Sequence, residues 1–398
     1  MKTSSIFKDN LVRHERKRPE MRHEQIPHPI EHHIQDAFAA EGTVYAFSPA
    51  RLRARVSLFQ GCFPGLVTYA VKANDHPLVL QTLVDAGMQA FDVASVAEMQ
   101  RVREINPTAV LHYHNPVRSR QEIECAKRFG VRSWSIDDKT ELDKLGDLPK
   151  GSEIAVRFKL PMQGAAYDFG EKFGTTPEVA AELLKIVAAR GYVPCLTFHP
   201  GTQCTDHTAW ARHIKAAVQI CEAAGVRIAR LNVGGGFAAD RGVVYPDLSP
   251  VFAEIAQAKD RYFGTEAPEL VCEPGRSMVS DSFSVMLSVK AVRPNGAVIL
   301  NDGIYGALAE WRDMAAIGTR LIRVYDRHGV QRKDELRPRV VFGPTCDSLD
   351  RVTQPMALPK SIAEGDVIVV DGMGAYSMSL ACEFNGYGAI HVIKLEEF

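Results

Sequence analysis

Three short stretches of the chain carry side chains whose types and spacing suit covalent chemistry. In Tyr69-Ala-Val-Lys72-Ala-Asn74 a lysine follows an apolar run. A lysine where a strand leaves the core is partly desolvated, which lowers its pKa and favours imine formation with an aldehyde. A surface lysine after a strand would read the same from this segment alone. In Leu231-Asn-Val-Gly-Gly-Gly-Phe237 the glycines Gly234, Gly235 and Gly236 follow another apolar run. Glycines permit positive φ and let backbone N–H groups close on an anion, so the run suits a phosphate, with a tight structural turn as the alternative. It does not match the GxGxxG spacing of a dinucleotide site. Val271-Cys-Glu-Pro-Gly-Arg276 brings Glu273, Gly275 and Arg276 together. The acid would repel a phosphate, so it requires a cationic partner, and a protonated ring nitrogen fits.

These stretches must be carried to one place. Short β-rich runs recur at 66–71, 88–93, 109–114, 132–136, 153–158, 195–199, 230–233 and 269–273. Between most of them lie segments with apolar residues at three- and four-residue spacing, several ending in Gly. That alternation predicts a parallel sheet covered by helices, and eight units is the number that closes a (β/α)8 TIM barrel. Lys72, Asp92, His114, Asp137, Arg157, His199, the glycine run and Glu273 each fall at or just after a run's C-terminal end. A barrel gathers these ends around one mouth, whereas an open sheet would spread them along an edge. Beyond about residue 280 the rhythm turns to strands separated by Gly/Pro turns, which predicts an antiparallel β-domain. The expected organisation is an arm over 1–35, an early strand within 36–48 joining the β-domain, a barrel over 49–280 and the β-domain over 281–398. At one barrel mouth, a lysine for an aldehyde, two loops for a phosphate and a carboxylate for a ring nitrogen together describe pyridoxal 5'-phosphate.

The 398 residues suit two domains, and 46% hydrophobic residues supply ample core. With 47 Lys and Arg against 48 Asp and Glu, the net charge of -1 argues against a nucleic-acid or membrane-surface binder. No apolar run approaches the roughly 18 residues of a membrane span, and the first twenty residues lack a signal peptide's apolar stretch. The eight cysteines form no CxxC pair, which suits reduced thiols and a cytoplasmic location. His14, His23, His28, His32 and His33 crowd the arm without any metal-binding motif, so no metal site is expected.

As a set, the motifs resemble the fold type III, alanine racemase-like pyridoxal-phosphate decarboxylases, which act on ornithine, lysine, arginine or diaminopimelate. The resemblance runs from about residue 40 to the C-terminus. It rests on YAVKAN (69–74), FDVAS (91–95), EKFG (171–174), FHPGTQCTD (198–206), NVGGGF (232–237) and CEPGRSMV (272–279). It continues through NDGIYGAL (301–308), GPTCDSLD (343–350), GAY (374–376) and FNG (384–386). It implies that Lys72 binds the cofactor aldehyde, that His199 stacks on the pyridine face and that Glu273 pairs with the ring nitrogen. By the same likeness the phosphate lies against Gly234–Gly236, Gly275, Arg276, Thr202 and Tyr376, with Asp92, Arg157 and Lys172 around the lysine and ring. Cys346 matches the residue that reprotonates the substrate carbon, donated together with Asp347 across a homodimer interface.

An aspartate beside that cysteine suits a distal ammonium. The resemblance therefore implies a small-molecule substrate, ornithine or lysine, giving putrescine or cadaverine in polyamine biosynthesis. Asp347, Asp313, Tyr305 and Phe384 are its expected contacts. Arg312 and the FHPGTQ variant depart from the usual pattern and keep a carboxylate-bearing substrate open. A racemase would want a tyrosine base and an arginine at the ring nitrogen, against which Glu273 and Cys346 both count. A catalytically dead regulator would be expected to have lost groups such as Lys72 and His199.

Overall fold

The computed structural model of the protein describes residues 30–40, 42–160, 172–242, 245–314 and 320–395. Its strands, in chain order, begin with β1 (Thr43–Phe47), β2 (Leu66–Val67), β3 (Tyr69–Ala70), β4 (Ala90–Val93), β5 (Val110–Tyr113) and β6 (Ser133–Ile136). There follow β7 (Glu153–Arg157), β8 (Val193–Thr197), β9 (Arg230–Asn232) and β10 (Glu269–Cys272). The remaining strands are β11 (Phe283–Val292), β12 (Val298–Leu300), β13 (Ile322–Tyr325), β14 (Leu336–Arg339), β15 (Val341–Phe342), β16 (Met356–Pro359), β17 (Val367–Asp371) and β18 (Ile390–Lys394).

Segments β2 to β10 make one parallel sheet in the order β2-β10-β9-β8-β7-β6-β5-β4-β3. Its two ends, β2 and β3, are halves of a single stretch parted at Thr68. Thr68 N–H bonds the Cys272 carbonyl at 2.9 Å and Ala70 N–H bonds that of Pro274 at 3.2 Å. On the other side, Tyr69 and Ala70 pair with Phe91 and Asp92. One stretch thus serves both neighbours, and the sheet closes as an eight-staved barrel. Most of these strands are buried on both faces, as a parallel sheet clothed in helices requires.

The helices begin and end where local chemistry dictates. Ser119 caps Arg120–Arg128 with a reciprocal Glu122 bond, the arrangement that satisfies two otherwise unpaired donors. Thr176 caps Pro177–Ala189, with proline in the first turn where no N–H is needed. Thr208–Ala224 buries Trp210, Ile214, Ala217 and Ile220 and stops at Gly225, in the left-handed region with φ +64.

The second sheet runs β13-β17-β11-β1-β18, with β12 on β11 and β15 on β12. Most of its pairings are antiparallel. The exceptions are β1 with β18 and β12 with β15, which are parallel. Strand β1 therefore leads the chain into this sheet before the barrel starts. Residues from Ile30 onward also pack here. The helix Ile34–Ala39 follows a 3-10 turn, and Ile30 and Ile34 are buried against Val44, Met286, Val367 and Val369. Two isoleucines in a histidine-rich stretch supply enough apolar surface to dock this end of the expected arm. The eight cysteines are free thiols, with Cys195 and Cys272 buried. Among the described residues no helix is long and apolar enough to cross a membrane.

The two sheets meet at a short junction. Ser48 caps the helix Pro49–Cys62, and its N–H bonds the Ser282 carbonyl at 2.8 Å. Phe47 stacks on Phe283 with ring centroids 4.6 Å apart. Arg55 Nε donates to Asp281 Oδ2 at 2.9 Å with both side chains buried. Arg55→Met removes one partner and strands the Asp281 carboxylate, so stability should fall by about 3 kcal/mol. Urea denaturation at neutral pH checks this; a loss below about 0.5 kcal/mol would show that the pair does not brace the junction.

Candidate active site

A cavity of about 750 Å3 opens where the barrel strands end, and its wall draws on nearly every one of them. Lys72 projects into it from a single 3-10 turn, Val71–Ala73, that follows β3. The backbone there is tied on several sides. Tyr69 Oη donates to the Asn74 carbonyl at 2.9 Å, and Asn74 Nδ2 to that of Gly374 at 2.8 Å. Tyr376 N–H bonds the Ala73 carbonyl at 2.9 Å. The sequence led us to expect a depressed lysine pKa, and here the structure corrects us. Desolvation does lower it, but Tyr376, Asp92 and Glu273 outweigh that effect, and the net direction is upward.

Those acids occupy one side of the cavity. Asp92 and Glu273 offer carboxylate oxygens, and His114 a ring nitrogen, all within 4.8 Å of one another. His114 Nδ1 lies 2.5 Å from Glu273 Oε1. Asn232 Nδ2 donates to the same oxygen. Burial pushes the Glu273 carboxyl up, but the charge of His114 and its hydrogen bond, together with Lys72 and Asn232, hold it well below the usual range. Asp92 shifts the other way: burial and the neighbouring Glu273 raise it, against Lys72 and His114. Its Oδ1 is buried without a hydrogen bond. The two carboxyls thus differ in proton affinity because the cations are shared unequally between them.

His199 and Arg157 also line the cavity. Gly201 N–H donates to His199 Nδ1 at 3.1 Å, which leaves the neutral ring protonated at Nε2. Burial, then Arg157 and Lys72, lower its pKa to about 3. A neutral imidazole is the form suited to lying flat against a cationic aromatic ring. Lys172 and Phe173 complete this part of the wall.

Another part of the wall is built from backbone. A Cβ on Gly235 would stand 2.7 Å from the Glu273 carbonyl oxygen, and one on Gly236 would stand 2.1 Å from that of Gly201. Only glycine allows the β8, β9 and β10 loops to approach so closely. Gly234 lies outside the cavity wall; its N–H bonds Asn232 Oδ1 at 2.8 Å, which positions the turn. Thr202, Gly275, Arg276 and Tyr376 face the cavity. The Arg276 guanidinium lies over the Tyr376 ring, 4.6 Å from its centroid.

Sequence reasoning missed what stands behind Arg276. Glu310, buried and lining the cavity, is paired with Arg276, Arg241 and Arg320. Three guanidiniums around one carboxylate leave an excess of two positive charges. Burial lowers the pKa of Arg241 and of Arg276 to about 9 each, and that of Arg320 to about 10. A phosphate dianion beside Arg276 would balance the group. Arg241 and Arg320 lie in no motif, and only the three-dimensional arrangement joins them to Glu310.

Tyr305, Cys346, Asp347 and Phe384 do not line this cavity. Tyr305 Oη donates to Asp347 Oδ2 at 2.6 Å, and the Tyr305 ring lies 5.2 Å from that of Phe384. Cys346 is exposed, and its N–H and thiol bond Asn385 Oδ1 at 3.1 and 3.2 Å. These four form a separate outward-facing cluster beside Leu349, which is 74% exposed. Asp313 falls on the helix Ala309–Met314, but its side chain lies outside the described residues.

The cavity residues fit pyridoxal phosphate. An amine projects from one wall, glycines with an arginine offer donors and positive charge, and an ionised carboxylate also lines the cavity. A family model described as the pyridoxal binding domain of pyridoxal-dependent decarboxylases matches residues 49–280. The chain is 29% identical over 345 residues to a lysine/ornithine decarboxylase of Selenomonas ruminantium, covering 83% of this chain and 84% of that protein. It is 31% identical over 368 residues to an ornithine decarboxylase of Panagrellus redivivus, covering 84% and 81%. The crystal structure of an arginine decarboxylase from Paramecium bursaria Chlorella virus superposes with a TM-score of 0.82 at 26% identity, covering 92% of this chain and all of that one.

A side chain at Gly235 must displace the Glu273 backbone or the loop itself. Gly235→Ala should weaken pyridoxal phosphate binding by at least about tenfold, the equivalent of roughly 1.4 kcal/mol. Titration of the cofactor-free chain, followed by absorbance, measures this. Unchanged affinity would remove the glycine turn from the phosphate end.

Proposed function

The chain belongs to the pyridoxal-dependent decarboxylases, which are carboxy-lyases, and from that membership we propose that it acts on a basic amino acid, releasing putrescine from ornithine or cadaverine from lysine. The observation that carries the substrate assignment is the pair of half-buried Asp347 and exposed Cys346, with Tyr305 bonded to the acid. Tyr305 and the Leu349 N–H hold the Asp347 carboxyl below its ordinary pKa, so it presents a full negative charge to a distal ammonium. Cytoplasmic polyamine biosynthesis is the setting that such products suit.

Bound pyridoxal phosphate supplies an electron sink for the pair of electrons left behind as carbon dioxide departs. Lys72 would hold its aldehyde end, His199 would cover one ring face, and Glu273 would face the ring nitrogen. Gly235, Gly236, Gly275, Arg276, Thr202 and Tyr376 would hold its phosphate. The protein's own groups then divide the work. Glu273, kept ionised, attracts and retains a proton opposite its free oxygen. Lys72 would hold the cofactor between turnovers and would have to yield that place to the substrate amine. The Cys346 thiol delivers a proton to the substrate Cα, a general-acid step. Asp347 fixes the far end of the substrate and Phe384 and Tyr305 flank it.

Cys346 and Asp347 do not line the cavity of their own chain. We therefore assign them to the cavity of a second copy in a two-fold dimer, where the exposed Leu349 and Phe384 are covered. The likeness to the viral arginine decarboxylase favours arginine as the second substrate to try.

Carbon dioxide release should be seen with L-ornithine or L-lysine and be weaker with L-arginine. Turnover confined to a carboxylate-bearing substrate such as diaminopimelate would overturn the distal-ammonium assignment. Cys346→Ala should slow turnover and divert product to aldehyde through misplaced protonation, and unchanged product ratios would refute the thiol's role. Mixing inactive Lys72→Ala with Cys346→Ala should restore roughly a quarter of the native sites if each cavity draws on two chains. No recovery after confirmed subunit exchange would place Cys346 in its own chain's site.

A further inference from the structure

The mouth of the barrel contains a histidine that the reaction just described does not use. We propose that His114 is a positioning residue for Glu273: it fixes that carboxylate as an anion with Oε2 turned toward the cofactor's ring nitrogen. The inference rests on Glu273 facing that nitrogen.

The geometry supports it on three counts. His114 follows β5 and spans the barrel from β6 to the end of β10. Its Nδ1 lies 2.5 Å from Glu273 Oε1 and its Nε2 lies 3.0 Å from Ser133 Oγ. The Ser135 hydroxyl donates to its carbonyl at 2.7 Å. The ring is therefore gripped at both nitrogens and at its backbone. Second, Asn232 Nδ2 also donates to Oε1 and lies 2.9 Å from His114 Nδ1, so the three groups form one triangle in which an anionic Oε1 accepts from both nitrogens. Two donors converge on one oxygen, and Oε2 has no partner among the described residues. A carboxylate with one oxygen tied down can turn only the other toward the cavity, which Glu273 lines. Third, the surroundings work against a charged Glu273. Its side chain is 12% exposed, and Asp92 places a second carboxyl beside it. Two close, buried carboxyls drive one of them to take a proton.

Several groups face this pair. Lys72 comes from the turn after β3, Asp92 from β4, Arg157 from β7 and His199 from the loop after β8. His112 on β5 stacks 5.3 Å from His114, and Arg118 acts on His114 as a like charge. Among the described residues, His114 is the one cation bonded to Glu273. Burial alone would lower the His114 pKa, but Glu273 reverses the direction, as an ion pair requires. The sign for Glu273 follows. A carboxyl with a depressed pKa is charged above it and loses charge as pH falls through it. Removing the neighbouring cation raises that point, so acid-side loss begins at higher pH.

Two variants test this in the cofactor-loaded protein: His114→Ala, and His114→Asn, whose amide can occupy the Nδ1 position without the charge. The visible absorption band of the bound cofactor is followed from alkaline to acid pH. Affinity is measured by titrating the cofactor-free chain with pyridoxal phosphate. In His114→Ala the acid-side change of the band should move up by about one pH unit, since a charge-assisted hydrogen bond is worth about that much. Affinity should fall about tenfold. His114→Asn should recover most of the affinity but keep the shifted acid limb. The proposal is overturned if His114→Ala keeps the native acid limb, or if both variants lose affinity equally with no shift. Glu273→Gln separates the two levels. If it leaves the band and its pH response unaltered, Glu273 does not face the ring nitrogen and its assignment fails first; if it alters them while His114→Ala does not, only His114's role is lost.

Discussion

A charge taken out of water has to be matched by another within a few ångströms, and the barrel mouth concentrates that demand. Parallel closure sends the C-terminal end of every strand to the same rim. Here the rim carries Lys72, Asp92, His114, Arg157 and Glu273. None of them would be tolerated alone at this depth. Together they form a set in which Glu273 stays an anion, Asp92 is raised toward neutrality, and His199 is kept uncharged. Another part of the wall solves the same problem with the opposite excess, where Arg241, Arg276 and Arg320 share Glu310. A molecule with a cationic ring and a phosphate is complementary to both.

Much of this could be read in the sequence because strand ends are local features. The apolar runs and the polar residue that closes each one place Lys72, Asp92, Arg157, His199 and Glu273 at one mouth once eight units are counted. The cavity wall contains all five. The glycine turn was visible for the same reason, since its constraint is written into its own backbone. What escaped was non-local. Arg241 lies 69 positions from Glu310, and neither Arg241 nor Arg320 belongs to a motif. His114 was visible as a strand-end residue, but its bond to Glu273 spans 159 positions. The direction of the Lys72 pKa shift was misjudged because burial was weighed without the acids that surround the amine.

The cavity and the outward cluster differ in how they are held. Cavity residues sit on strands or on turns fixed by buried hydrogen bonds, as Asn74 and Tyr376 fix the Lys72 turn. Cys346, Asp347 and Phe384 sit on exposed loops of the β-domain, held chiefly by Tyr305 and Asn385. The cavity is thus braced by buried bonds, whereas the outward cluster is held by a few bonds at the surface.

The split stretch at Thr68 has a consequence for assembly of the molecule. Its first half bonds to β10, some two hundred positions later in the chain, and β1 is flanked by β11 and β18 near the C-terminus. Neither sheet is complete until its last strand has left the ribosome. The turn bearing Lys72 lies on that seam, so the lysine has no fixed position while the barrel is open. Contacts of such sequence separation are slow to form. A chain cut before β10 would leave the barrel open at the seam that carries Lys72, and the lysine would lack the partners that fix its turn.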